Sequence, residues 1–106
     1  MAKFLLLFHG GSMPQTEAEQ AAVLKAWTDW YTQLGQAVVD PGNPFTPAAK
    51  SVSKEGKVKS GPAGTMASGY TILQADSIDG AAQMASTCPV LRGGAEISIF
   101  ETFDVM

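Results

Sequence analysis

The chain contains one cysteine and one histidine among its 106 residues. A lone cysteine, Cys88, has no partner for an internal disulfide, which argues against a disulfide-stabilised secreted protein. His9 and Cys88 are also too far apart in the chain to show the ligand spacing of a metal site. We therefore expect no metal and no cofactor, and any histidine chemistry must use His9.

Basic residues are scarce, with seven against ten acidic residues and a formal net charge of -3. Nucleic-acid-binding surfaces need a basic excess, so we expect no nucleic-acid partner. Four lysines are nevertheless close together, at positions 50, 54, 57 and 59. We interpret them as a solvated hairpin whose lysines discourage pairing between sheet edges.

Long hydrophobic runs are missing, and none approaches the ~20 residues that span a bilayer. The apolar run near the N-terminus ends at His9, which is too early for a secretory signal peptide. The length is near that of a common single domain. We therefore expect one domain over residues 1–106, no membrane contact and a cytoplasmic location.

Apolar residues are concentrated in the first predicted strand, at residues 3–9, where Phe4 to Phe8 are consecutive and large. A strand with one exposed face alternates apolar and polar residues, so both faces of this strand should be covered. A turn is predicted at residues 10–14. A helix should then begin at the capping box of Thr16 and Glu19 and end at Leu34. Its expected buried face comprises Val23, Leu24, Trp27, Trp30, Tyr31 and Leu34.

After the first strand and helix, the chain continues through a short strand and a peripheral hairpin to a second strand–helix–strand unit. A short strand at residues 36–40 precedes a hairpin at 51–59 and an ordered glycine-rich loop at 60–69. A strand at 70–75, a helix capped by Asp76 or Ser77 and a half-exposed strand at 95–103 complete the chain. The inner face of the second helix should comprise Ile78, Ala81, Ala82, Ala85 and Cys88.

This order of elements predicts an α+β fold, a ferredoxin-like βαβ-hairpin-βαβ sandwich with an antiparallel sheet. Two helices cover one sheet face only, whereas the first strand is apolar on both faces. A second copy, packed sheet against sheet, would cover the other face and make a homodimer.

The same topology brings polar residues to one end of the sheet. We interpret His9 as a general base and Asp40 as the residue that orients it, although an intervening strand separates their backbones by about 10 Å. A histidine bonded to a loop carbonyl is the structural alternative. The expected ligand-binding residues are Gly10, Gly11, Ser12, Phe45, Met66, Ser68, Tyr70 and Arg92.

Two of these assignments have a structural alternative. Gly10, Gly11 and Ser12 either bind an anion through backbone N–H groups or form a tight turn. Arg92 either pairs with a ligand carboxylate or is a surface arginine. A serine nucleophile would have to use His9 as its base, and the sequence contains no G-x-S-x-G elbow.

A set of segments resembles the YCII-related family, and its DGPF subgroup in particular. The segments are the Phe4–Phe8 strand, the aromatic-rich helix, Ser60-Gly61-Pro62, the Gly69–Leu73 strand, and Cys88-Pro89 before Glu96-Ile97. The resemblance implies a ferredoxin-like dimeric α/β barrel that binds small molecules, with a histidine–aspartate pair in some members and a suggested link to transcription. Two features differ: the Asp-Gly-Pro-Phe motif is Ser60-Gly61-Pro62-Ala63 here, and the first helix has no histidine.

Two functions are therefore compatible with the sequence. One is a dimer that binds a small anionic or aromatic molecule at His9, with isomerase- or lyase-like acid/base activity. The other is a non-catalytic ligand-sensing or protein-interaction module linked to transcription regulation. The surroundings of His9 discriminate between them: a coupled Asp40 favours chemistry, and bonds to backbone alone favour the module.

Overall fold

The computed structural model describes residues 1–12 and 14–105, so the predicted turn at 10–14 includes one residue, Met13, outside the described part. The strands are β1 (Ala2–His9), β2 (Val38–Asp40), β3 (Lys50–Val52), β4 (Val58–Ser60), β5 (Gly69–Ala75) and β6 (Glu96–Glu101). The α-helices are α1 (Glu17–Leu34) and α2 (Ile78–Ala85), and short 3₁₀ turns follow them at Gly35–Ala37 and Pro89–Gly93.

Four strands form one antiparallel sheet in the order β2-β5-β1-β6, and β3 pairs with β4 separately. Strands β1 and β2 both run antiparallel to β5, so they are parallel to each other and end on the same side of the sheet. The prediction of an α+β fold with an antiparallel sheet is confirmed. The strand order and the two helices are compatible with a ferredoxin-like sandwich.

The ends of α1 follow from local side-chain chemistry. The Thr16 hydroxyl accepts a hydrogen bond from the Glu19 N–H at 3.0 Å, while the Glu19 carboxylate accepts from the Gln15 N–H at 2.8 Å. Glu19 therefore satisfies the residue before the cap rather than Thr16 itself, a variant of the predicted capping box. At the other end Gly35 adopts φ 57°, and a 3₁₀ turn follows it. The predicted strand start at Gln36 is thus wrong, because Gln36 belongs to this turn.

The helices cover one face of the sheet. Phe4, Leu6 and Phe8 of β1 are buried on this face, together with Trp30 of α1 and Ala81 of α2. The intervening Leu5 and Leu7 point to the other face and are half-buried. One of the two apolar faces predicted for the first strand is therefore covered within the chain, and the second remains uncovered by the described residues.

Parts of the predicted helix faces are wrong. Val23 and Leu24 are 41% and 69% exposed, and Ile78 and Ala82 are also exposed. Val23 lies two helical turns before Trp30, nearly on the same side of α1. Its exposure therefore reflects its position along the helix axis, which hydrophobic spacing does not encode. Ile78 is in the first turn of α2, where the end of the helix is less covered than its middle.

The basic hairpin lies at the periphery, as predicted. Val52 and Val58 pair directly with each other and are both largely exposed. Gly56 closes the turn with φ 83°. No helix in residues 1–12 and 14–105 is both long and apolar enough to cross a bilayer.

Candidate functional site

The open face of the sheet, meaning the face opposite the helices, changes from apolar to polar along β1. Leu5 is paired with Ile72 on one side and Phe100 on the other, which makes an apolar row. Leu7 lies between Tyr70 and Ser98 in the next row. The strand then ends at His9, so hydroxyl and imidazole groups lie beside an apolar surface.

The His9 ring is held at both nitrogens. Its Nε2 atom lies 3.0 Å from the Ser98 hydroxyl, and its Nδ1 atom lies 3.3 Å from the Met66 carbonyl oxygen. A carbonyl only accepts hydrogen bonds, so we assign the proton of the neutral ring to Nδ1. The Nε2 lone pair then accepts the hydrogen bond that the Ser98 hydroxyl donates.

The loop between β4 and β5 folds back against the end of β1, and this positions the Met66 carbonyl. The Ser68 N–H donates to the Phe8 carbonyl at 2.7 Å, and the Phe45 N–H donates to the Ser68 carbonyl at 2.8 Å. Gly69 permits this close approach, because a Cβ atom there would lie 3.2 Å from the Asn43 carbonyl oxygen. The loop therefore begins its hydrogen bonding to β1 one residue before β5 starts, and it carries Met66 to the imidazole.

Asp40 belongs to a separate cluster at the β2 edge of the sheet, across β5 from β1. Its carboxylate accepts hydrogen bonds from the Gly42 N–H at 2.8 Å and the Tyr70 hydroxyl at 3.2 Å. The Tyr70 ring stacks on Phe45 with their centroids 5.9 Å apart. The hydrogen bond to Asp40 and its negative charge raise the pKa of Tyr70 above its ordinary value.

The structure therefore does not join the two residues expected to form a catalytic pair. Strand β5 lies between β2 and β1, and the described residues contain no hydrogen bond between His9 and Asp40. The side chain that hydrogen-bonds to the imidazole is Ser98, at Nε2. His9 is also bonded to more than backbone, so its surroundings match neither of the two extremes that the sequence distinguished.

Gly10 to Ser12 lie against the turn that precedes β6. A Cβ atom on Gly11 would lie 3.3 Å from the Ala95 side chain, and one on Gly93 would lie 3.3 Å from the Ser12 nitrogen. Helix α1 begins only at Glu17, and Glu17 and Glu19 occupy its first turn. Two carboxylates there oppose an anion at the helix N-terminus. This placement supports the tight-turn interpretation over the anion-binding one.

Arg92 lies on the helix side of the sheet. It lines a cleft of about 280 Å³ together with Lys25, Asp29 and Trp30 of α1. Its neighbours are therefore residues of α1 rather than His9, which is on the open face. The interpretation of Arg92 as a ligand-binding residue beside His9 therefore loses its structural basis, and its position matches the alternative of a surface arginine.

Ser98 is the residue that the sequence did not identify as part of a site. It is 89 positions away from His9, and only the pairing of β1 with β6 brings the two together. The available signal was its alternation with Ile97 and Ile99, which indicated a residue on the less buried side of an edge strand. That pattern does not specify which opposite residue it meets.

The described part of the chain contains no cluster of three or more histidine, cysteine, aspartate or glutamate side chains that could hold a metal ion. Comparison with protein-family models and with curated proteins finds no match to this sequence. The function is therefore inferred from the geometry of the open face.

Proposed function

We propose that the protein is a YCII-like dimer that binds a small molecule on the open sheet face, with His9 as the acid/base group. The observation that carries this proposal is the His9 ring itself. One nitrogen donates to a carbonyl, and the lone pair of the other accepts the hydrogen bond of the Ser98 hydroxyl. A half-buried imidazole held in one orientation is suited to general acid/base catalysis.

The ligand in this proposal has an apolar or aromatic body. Leu7 and Phe100 provide apolar contact beside Ser98, and Tyr70 and Phe45 provide a stacked aromatic pair across the sheet. Aromatic rings pack well against such surfaces. The reactions that a single positioned base supports are isomerase- or lyase-like proton transfers.

The proposed dimer follows from the same face. Leu5, Leu7 and Ile72 are only half-buried, and Phe100 is 52% exposed. A contiguous apolar patch on a sheet is usually covered by another element or another chain. Two copies related by a two-fold axis would cover this face and enclose the His9 region between them.

Two measurements test this proposal. A panel of small aromatic molecules, both uncharged and anionic, is screened for ligands that raise the melting temperature, and each hit is repeated with His9→Ala. We expect hits that stabilise the wild type but not His9→Ala. Equal stabilisation of both proteins would show that the ligand binds away from His9.

Sedimentation of wild type and Leu7→Arg tests the dimer. A dimer at micromolar concentration should become a folded monomer in the variant, because a charge in an apolar interface is strongly unfavourable. The exposed Leu24→Arg on α1 is the matched control. A wild-type monomer would overturn the dimer.

The alternative is a non-catalytic ligand-sensing or protein-interaction module in the cytoplasm, linked to transcription regulation. It is favoured by the bond between His9 and the Met66 carbonyl, which ties the loop to β1. In that case His9→Ala should lower the melting temperature, and the wild type itself should have no catalytic activity.

A further inference from the structure

We propose that Ser98 is a nucleophile activated by His9, and that the open face transfers the acyl group of small uncharged esters. This inference rests on the proposed function, because it uses the same base and the same face. It adds a covalent step and a substrate class to it.

The arrangement has the three parts that activate a serine. The Ser98 hydroxyl donates to His9 Nε2 at 3.0 Å, and the Met66 carbonyl accepts from Nδ1 at 3.3 Å. A nucleophile within hydrogen-bonding reach of a base, with the base oriented by a third group, is the common geometry of hydroxyl activation. Here a backbone carbonyl is the orienting group, so it selects the tautomer without adding a full negative charge.

The negative charge that would stabilise a protonated His9 lies on the neighbouring strand β6. Glu96 is directly opposite His9 in the pairing of β1 with β6, and it is exposed on the same face. Directly opposed residues have Cβ atoms about 4.5–5.5 Å apart. The negative charge of Glu96, on a side chain that begins at this separation, favours the imidazolium that forms when His9 takes the serine proton, without a direct ion pair between the two among the described residues. It also repels an anionic substrate, which favours uncharged esters.

The position of Ser98 limits the acyl group. On its own strand the next residue of the open face is Phe100, and across the pairing Ser98 meets Leu7. An acyl chain bonded to Ser98 would lie along these two side chains. Esters of short aliphatic or aromatic acids therefore fit better than acids that carry a second charge.

The reaction balances without any oxidant or reductant. The Ser98 oxygen bonds to the acyl carbon while its proton moves to His9 Nε2. The bond from the acyl carbon to the leaving alcohol then breaks, and the alcohol takes that proton. Water, deprotonated by Nε2, attacks the acyl-serine, and the carboxylic acid leaves as the serine regains its proton.

The experiment uses p-nitrophenyl butyrate with the full chain and follows both p-nitrophenol release and protein mass. We expect an initial burst, a mass increase of one butyryl group, and an adduct on the peptide that contains Ser98. Ser98→Ala and His9→Ala should each slow the burst about 100-fold. Ser53→Ala, in the exposed hairpin, is the matched control and should react like the wild type.

Ser98→Cys distinguishes loss of the nucleophile from loss of the fold, because it keeps a nucleophile of similar size at position 98. It should form an acyl adduct at the same position. Wild-type protein without a burst or adduct would overturn the inference. So would an adduct on a lysine, or a Ser98→Ala variant that reacts at the wild-type rate.

The failure of this inference is distinguishable from failure of the proposed function. If His9→Ala abolishes turnover of a ligand that Ser98→Ala still converts, His9 acts as a base without a covalent step. The proposed function then stands and the nucleophile is rejected. If ligands stabilise His9→Ala as well as wild type, the proposed function itself fails.

Discussion

The two faces of the same sheet are built differently. On the helix face, Phe4 and Leu6 are completely buried, and Trp30 and Ala81 of the two helices belong to the same buried cluster. On the open face, residues one position away in the same strand are half-buried and lead to an imidazole, a hydroxyl and a carboxylate. A strand can thus contribute stability from one face and chemistry from the other, because its side chains alternate.

The largest expected difference between the faces is in packing. Leu6→Ala should lower the free energy of unfolding by about 2–5 kcal/mol, since Leu6 is fully buried and its loss leaves a cavity. Leu5→Ala, the neighbouring residue on the open face, should cost about 1 kcal/mol. Urea denaturation at a low protein concentration measures both variants. Equal losses would show that the open face is packed as tightly as the helix face.

The next effect concerns Cys88, which is buried on the helix side. Burial raises its pKa to about 11, so the folded protein retains the thiol proton while the unfolded chain ionises near pH 9. Stability should therefore fall as the pH rises from 9 to 11, by no more than about 2 kcal/mol.

Cys88→Ala provides the control for this pH dependence. Its unfolding free energy should be lower at pH 8 but should decline less between pH 9 and 11 than that of the wild type. Denaturant unfolding at pH 8, 9, 10 and 11 measures the difference. Parallel curves for the two proteins would mean that the thiol ionises alike in both states.

A smaller effect is expected on the open face. In a Tyr31→Phe background, Tyr70 is the only tyrosine, and its hydrogen bond to Asp40 raises its pKa. Asp40→Asn removes the negative charge, so the pKa of Tyr70 should fall towards its ordinary value. The tyrosinate absorbance near 295 nm, followed during a pH titration, reports the shift. An unchanged titration curve would show that Asp40 does not influence the pKa of Tyr70.

The smallest effect is expected for the residues of α1 whose burial the sequence overestimated. Val23→Ala and Leu24→Ala should each change the free energy of unfolding by no more than about 0.5 kcal/mol, because both side chains are exposed. Trp30→Ala, two turns after Val23, provides the contrast, with an expected loss of about 3–5 kcal/mol. A large loss for Val23→Ala would indicate that another chain covers this part of the helix.

Much of the fold was predictable because its signals are local. Thr16 and Ser77 cap their helices through hydrogen bonds to backbone N–H groups three residues later. Gly35 and Gly56 adopt positive φ where the sequence indicated a helix end and a turn. Such features depend on a few neighbouring residues, so they can be inferred without knowledge of the tertiary contacts.

The candidate site was only partly predictable. His9 was recognisable because it is the single histidine and follows an apolar strand. Its assignment to Asp40 and Arg92 relied on which residues end on the same side of the sheet, and that reasoning does not specify which sheet face each side chain reaches. Arg92 lies on the helix side, and Asp40 is separated from His9 by β5.

The sequence alone determined the order of elements, the central apolar strand and the presence of one imidazole at its end. The tertiary structure decided what the imidazole contacts. Ser98 and Met66 reach His9 only through the register between β1 and β6 and through the return of the loop before β5. Register depends on packing across the whole sheet, and a shift of one residue would turn Ser98 to the opposite face.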